Sequence, residues 1–411
     1  MAQMEDRSMS SIALPRISAR DHSESLRPLA LAAPLLLLSL FSFLAPIASL
    51  LSRAVYEPTI AHALSRTIAA LRQDSSAGVP GEPVFVAFAA DLKEAQAAGT
   101  LNEFAKALNI RLPGARSQVL RAARYAAQDQ SPNKAALIKA APLLGQEQSW
   151  TAIRNNLSRF TSYFLLSAFD LRWTDQGGIS AVPADQAVFL RVFGRTFLIA
   201  TLVTLATLAL AFPLAYLMTN LRPAVAGIVL VLVLLPFWTS ILVRTAAWTV
   251  ILQKYGLLND LLLWLGLTSE RLELMYSRTG LIVAMTHIQL PFTLLPIYSV
   301  MRSVPPAQLR AAQSLGARPF TAFWRVYLPQ VMPGVLAGCL LTFILCLGYY
   351  ITPVLVGGAS DQLISNFIAN YVNVELNWEM AAALSFVLLA STLGLYVTMT
   401  RFLGLDLFKM G

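Results

Sequence analysis

Long runs without a charged residue decide what this sequence can fold into. A helix that crosses a bilayer needs about 20 apolar residues. Candidate runs occur at 29–52, 196–221, 223–243 (with apolar character resuming as far as Gln253), 279–301, 326–360 and 380–400. Only 13% of the 411 residues are charged, against about 25% in an ordinary soluble domain, which argues against a soluble enzyme. The first run is 24 residues long. A signal peptide has an apolar region of only about 7–15 residues followed by a small-x-small cleavage site, and no clear site follows here. It reads as a retained transmembrane helix.

The net charge of +9 matters less than its placement. Arg302, Arg310, Arg318 and Arg325 lie between the fourth and fifth runs with no Asp or Glu among them, whereas Asp361, Glu375 and Glu379 lie between the fifth and sixth with no Lys or Arg. Lys and Arg in short loops stay on the cytoplasmic side. The first loop is therefore expected in the cytoplasm and the second outside, and six spans then put both termini in the cytoplasm. Residues 1–28, with Arg7, Arg16, Arg20 and Arg27 in a Ser-rich sequence, read as a disordered cytoplasmic tail, and 404–411 as a short second one. The basic balance belongs to a membrane protein. A lipid bilayer is the expected surrounding, and no nucleic-acid partner is expected.

Residues 53–190 break the pattern, with charge and polarity throughout. They read as a mostly helical extracytoplasmic insert between the first two spans, since long loops translocate largely regardless of charge. Helices are expected at 61–72, at 92–108, and at 118–127 with Ser117 as a possible N-cap. Turns are expected at 76–83 and 112–116 from their Pro and Gly. The fold class expected is an all-α membrane protein of six transmembrane helices.

Chemistry is sparse. No Gly is followed by Lys, so a P-loop is absent, and there is no nucleophile elbow or H-E-x-x-H pair. Cys339 and Cys346, seven residues apart in an apolar run, share a helix face and form neither a disulfide framework nor a Cys-x-x-Cys zinc site. His22, His62 and His287 are scattered. No cofactor or metal is expected. A translocation pathway, a receptor or a scaffold is expected rather than an enzyme.

The most unusual stretch is 309–330, LRAAQSLGARPFTAFWRVYLPQ. A short helix is expected at 306–315, opening on Pro305-Pro306. Gly316 suits the position past its end, where positive φ is wanted. Pro319 opens a second helix, which carries Phe320, Phe323, Trp324 and Tyr327 on an apolar face and ends near Leu328 because Pro329 follows. Read from pattern alone, such a hairpin also fits an amphipathic connector lying on the lipid surface.

This loop resembles the EAA motif of type I ABC importer permeases. The family pattern is Glu-Ala-Ala, three residues, Gly, nine residues, an aliphatic residue, one residue, then Leu-Pro. Ala311, Ala312, Gly316, Val326, Leu328 and Pro329 stand at those spacings, and Arg310 replaces the Glu. The resemblance runs from about residue 190 to the C-terminus. Phe237–Thr245 with Trp248, Gly256–Asn259, Leu290-Pro291-Phe292 with Pro296, Gly348–Pro353 and Gly357-Gly358 are similar to the spermidine/putrescine-type subgroup. It implies a permease core at 191–403, with the loop 307–329 docking into a separate ABC ATPase. It further implies a second permease subunit (a heterodimer favoured over a homodimer), a periplasmic solute-binding protein, a bacterial inner-membrane location and a small polar, polyamine-like solute.

Polar groups within spans usually face a cavity or a neighbouring helix. His287, Gln289, Tyr349 and Tyr350 are the candidate pathway residues, helix packing being the alternative for each. Gly338 and Gly348 permit close helix approach. Arg244 reads first as an interface anchor and second as a binding-protein contact. A membrane sensor is the alternative function, but it needs a cytoplasmic output domain. An ion-coupled transporter needs mid-membrane carboxylates, and the six runs contain no Asp or Glu.

Overall fold

A computed structural model describes residues 32–74, 76, 78–128, 133–174 and 178–402. The two tails expected at 1–28 and 404–411 lie outside the described residues. The chain divides into two units, 1–50 and 51–411. The first contributes most of α1, Ala32–Ser52, an apolar helix with a π turn at Leu40–Leu44.

The insert follows as a set of short helices. These are α2 (Thr59–Ala63), α3 (Ser65–Leu71), α4 (Glu82–Ala97), α5 (Leu101–Arg111), α6 (Ala115–Gln128), α7 (Lys134–Ala140), α8 (Glu147–Arg154) and α9 (Tyr163–Ala168). An antiparallel pair, β1 (Leu171–Trp173) and β2 (Ile179–Ala181), closes it. Three local expectations are corrected. The helix expected at 61–72 breaks at Leu64 into α2 and α3. The Asp91 carboxylate, 25 residues away in sequence, supports the second start by accepting from the Arg66 and Thr67 amides at 3.2 and 2.7 Å. The helix expected at 92–108 is two helices, because Gly99 takes φ +75°. The Thr100 and Gly99 amides then donate to the Ala95 and Gln96 carbonyls, closing α4 in a Schellman motif. Ser117 lies inside α6 and is not its N-cap. Asn109 Oδ1 accepts instead from the Gly114 and Arg116 amides at 3.0 and 3.3 Å.

The insert core is built around Trp150, fully buried, with the Phe85 and Phe88 rings at 5.1 and 5.7 Å. Phe104, Leu92 and Leu108 surround it, and α6 lays Val119, Ala122, Ala123 and Ala126 on the same core. The two ends of the insert are tied together. Tyr56 bridges Phe160, and Arg111 reaches Glu57 at 2.8 Å and Asn156 at 2.7 Å while stacked on Tyr163 and Phe164.

The membrane part comprises α10 (Phe189–Asn220), α11 (Pro223–Leu234), α12 (Ile241–Ile251), α13 (Leu257–Trp264), α14 (Arg278–Ser303), α15 (Pro306–Ser314), α16 (Pro319–Leu347), α17 (Ile351–Val356), α18 (Ile364–Asn373) and α19 (Trp378–Phe402). Among the described residues, α1, α10, α14, α16 and α19 are each long and apolar enough to cross a bilayer, and the pair α11–α12 makes a sixth if it counts as one span. That pair corrects the expectation of one continuous third span, for it bends by 101°. Pro236 sits in the 3-10 turn Leu235–Trp238, and the Ser240 hydroxyl caps α12 by accepting from the Val243 amide at 3.2 Å. One other limit also moves. The second span begins at Phe189, seven residues before the first one expected. The run 326–360, long enough for a span plus an uncharged loop, holds the end of α16 at Leu347 and then the short α17.

α10, α14 and α16 form the central bundle, and their seams are made of small and hydroxyl residues. The Thr293 hydroxyl meets those of Thr207 and Thr342 at 3.0 and 2.6 Å, all buried. A Cβ at Gly338 would lie 2.6 Å from the Thr293 carbonyl oxygen, so only glycine lets α16 approach α14 there. Gly348 has no such role, since its Cβ would meet nothing closer than 4.0 Å.

The insert is fixed to this bundle. Asp170, in the left-handed region at φ +53°, caps α10. Its carboxylate accepts from the Val188, Phe189 and Leu190 amides at 3.0, 3.0 and 2.8 Å. Lys106 donates to the Leu376 carbonyl at 2.8 Å, and α9 packs on α19.

Candidate functional site

The stretch between α14 and α16 forms a hairpin. Pro305 and Pro306 open α15, and its end is a Schellman motif. Gly316 takes φ +88°, its amide donates to the Gln313 carbonyl at 2.9 Å, and the Ala317 amide donates to the Ala312 carbonyl at 3.1 Å. No atom lies within 4 Å of a Cβ built on Gly316, so the demand for glycine there is purely conformational.

Pro319 starts the second arm, which does not end at Leu328. It continues through a π turn, Phe323–Tyr327, straight into the span. The reason is local: Pro329 has no amide to give, and its ring crowds the carbonyl four residues back. The wider turn, in which the Leu328 amide reaches the Phe323 carbonyl, opens that spacing without breaking the helix.

The same geometry divides the aromatics that were expected on one face. Phe323 and Tyr327 turn inward and meet Tyr216 of α10 at 5.9 and 5.8 Å, with Phe212 at 6.4 Å from Phe323. Phe320 and Trp324 turn outward, and Leu315 at the tip is 90% exposed. The motif residues divide likewise. Arg310, Ala311, Gly316 and Pro329 are exposed, while Ala312, Val326 and Leu328 are half-buried, Leu328 against the bundle core. Arg310, Arg318 and Arg325 are exposed and make no ion pair among the described residues. Phe212 and Tyr216 were missed in the sequence, although their spacing of four places them on one face of the second span.

The candidate pathway residues do not converge on one cavity. His287 lines an apolar pocket with Leu214, Val229 and Pro236, and its Nδ1 accepts from Trp248 Nε1 at 3.2 Å, joining α14 to α12. Tyr350 lines a separate groove beside α18. Tyr349 is half-buried against Leu347 and Leu363, and its carbonyl accepts from the Ser365 hydroxyl. Gln289 lines neither cavity. It is fully buried in α14, and no hydrogen bond to its amide forms among the described residues. Arg244 lies over the Phe237 ring at 6.0 Å.

Residues 193–402, the bundle together with the hairpin, match the binding-protein-dependent transport system inner membrane component family. The chain belongs to that family. It is similar to the spermidine/putrescine transport system permease protein PotB of Haemophilus influenzae, at 32% identity over 53% of this chain and 77% of that protein. The Escherichia coli protein of the same name is 34% identical over 49% of this chain and 73% of its own length. Among solved structures it is similar to a bacterial alginate ABC transporter in complex with alginate pentasaccharide-bound periplasmic protein, at 20% identity and TM-score 0.43, covering 52% of this chain and 79% of that one. The protein is thus a permease subunit of an ABC importer, a multi-pass inner-membrane protein and a transporter component rather than an enzyme. The sensor alternative finds no support.

Proposed function

We propose that this chain forms half of the pore of an ATP-driven importer for a small polar solute of the polyamine class. A periplasmic binding protein delivers the solute, and the hairpin couples the spans to a separate ATPase. The observation that carries this reading is the two-sided hairpin. Leu315, Phe320 and Trp324 offer an exposed apolar tip, while Phe323 and Tyr327 lock its back onto α10. A push on such a tip moves α10 and α16 together. The solute class rests on the PotB relatives. Free energy enters through the hairpin, because the sequence has no P-loop.

On this reading the hairpin and both termini are cytoplasmic, the insert and α18 are outside, and a related permease completes the pore. The exposed arginines of the hairpin suit the cytoplasmic side. Gly316→Val introduces a β-branched residue at positive φ, costing ~1 kcal/mol or more. Ala312→Glu puts a long charged side chain at the contact. Both variants should insert normally, lose ATPase on co-purification and lose uptake of labelled spermidine or putrescine. Full uptake by Gly316→Val would reduce the hairpin to a surface connector.

A further inference from the structure

At the end of the bundle opposite the hairpin, α18 carries Asn366, Asn370 and Asn373 along one side. Their spacing of four and three keeps them on one helix face. That face opens on a groove of about 370 Å³ whose other walls include Tyr350, Val354 and Phe367.

The three asparagines are polarised alike. Each gives its Nδ2 to the protein: Asn366 to Gln362 Oε1, Asn370 to Glu375 Oε1 at 2.9 Å and Asn373 to the Ala369 carbonyl at 2.9 Å. Their Oδ1 atoms accept nothing from the described residues. Asn366 is the decisive one, since it is 7% exposed and its buried Oδ1 has no partner. A buried acceptor left unpaired is costly, so this position calls for a donor from outside the chain. Burial falls along the row, from buried Asn366 to exposed Asn370 and Asn373, and the Glu375 carboxylate stands exposed beside Asn370. Among the described residues, Arg195 reaches this region, with Arg278 and Arg191 near it. The Arg195 guanidinium is already given to the Ser360 and Gln362 carbonyls, and the Asp361 carboxylate beside it is paired with Arg278 at 2.8 Å.

We propose that this row is a binding site for the ammonium groups of a linear aliphatic di- or triamine. The site deepens the importer reading above and rests on it. Amide oxygens accept from ammonium, Tyr350 and Phe367 offer ring faces for cation–π and methylene contact, and Glu375 adds formal negative charge at the open end. The helical rise sets the acceptors about 6 Å and about 4.5 Å apart along the axis. Those intervals approximate the separation of nitrogens on tetramethylene and trimethylene chains.

The test uses the purified assembly of this permease with its partner permease and ATPase, and measures saturable binding of radiolabelled spermidine without the binding protein. Asn366→Leu should weaken binding about tenfold or more, Asn373→Leu less because its site is already hydrated, and 1,4-butanediol should not compete. Co-elution of the subunits should be unchanged. Wild-type binding by Asn366→Leu overturns the site. Competition by the diol overturns the ammonium assignment. Loss of the partner permease from the Asn366→Leu assembly would make the groove a subunit interface and overturn the site as well. An assembly that hydrolyses ATP and imports some other solute, yet binds no amine, removes both the site and the polyamine class while leaving the importer. A chain that associates with no ATPase removes the importer reading itself.

Discussion

The insert and the central bundle are both helical, but they hold together by different means. The insert buries large side chains: Trp150 against Phe85 and Phe88, with Phe104, Leu92 and Leu108 around them. The bundle brings backbones close at Gly334 and Gly338 and joins Thr207, Thr293 and Thr342 by hydroxyls. Water drives the first arrangement, because removing apolar area from water is favourable. Lipid gives no such drive between apolar helices, so close van der Waals contact and hydrogen bonds take over. One chain therefore follows two packing rules, and substitutions should report which rule governs each place.

The largest effect is expected in the insert. Trp150→Ala leaves a cavity at the centre of its core and should cost about 3–5 kcal/mol. Protection of residues 53–188 from added protease, followed against temperature in the intact chain, should fail about 10 °C or more earlier. A shift of only a degree or two would mean that the insert is held by its docking to the bundle rather than by its own core.

Next comes Gly338→Ala. One methyl group would sit 2.6 Å from the Thr293 carbonyl oxygen, and overpacking of this kind costs about 1–3 kcal/mol. Detergent-solubilised permease should aggregate at a lower temperature by fluorescence-detected size exclusion. Gly348→Ala, with open space around its Cβ, is the matched control and should behave as wild type. Equal loss in both would refute the close-approach account.

Thr293→Val keeps the shape and removes the shared hydroxyl. Interhelical hydrogen bonds in membranes average only about 0.6 kcal/mol, so the same assay should show a small shift. A loss as large as that of Gly338→Ala would show that hydroxyls rather than close contact hold the bundle.

The smallest effect at neutral pH concerns Tyr371, where the two rules meet. Its ring lies 6.4 Å from Phe189 of α10. Burial, and then the nearby Glu375 carboxylate and Tyr163, push its hydroxyl up to about 12. An unfolded tyrosine ionises near pH ~10. The raised value means that the neutral form is the one the fold accommodates. Its contribution is fully present below pH ~10 and is lost as pH rises towards 12. In an alkaline absorbance titration, Tyr371→Phe should remove one late tyrosinate step near 12. Removal of a step near 10 instead would mean that the ring is not held in this seam.

Legibility followed the same physics. Charge-free runs located the spans, since lipid tolerates few charges and the signal is one of composition. The Gly316 turn was equally legible, because a positive φ past a helix end selects glycine directly. The bend between α11 and α12 was not, although Pro236 and Ser240 are both visible, because apolar composition is the same in a straight and a bent span. The π turn at Phe323–Tyr327 also escaped, and with it the continuity of the second hairpin arm.

The sequence by itself therefore determined that this chain lives in a membrane, where its helices cross, that a helix–Gly–helix hairpin interrupts them, and which family the hairpin resembles. Each is a property of composition or of a few neighbouring residues. The tertiary structure alone decided which side chains meet. It set Phe323 and Tyr327 against Phe212 and Tyr216, gave the start of α10 to Asp170, closed Gly338 on Thr293, separated His287 from Tyr350, and left the Oδ1 of Asn366 without a partner among the described residues. Those pairings join residues up to 111 positions apart, as Phe323 and Phe212 are. Local periodicity carries no information about distances of that kind, because they are fixed only when whole helices choose their neighbours.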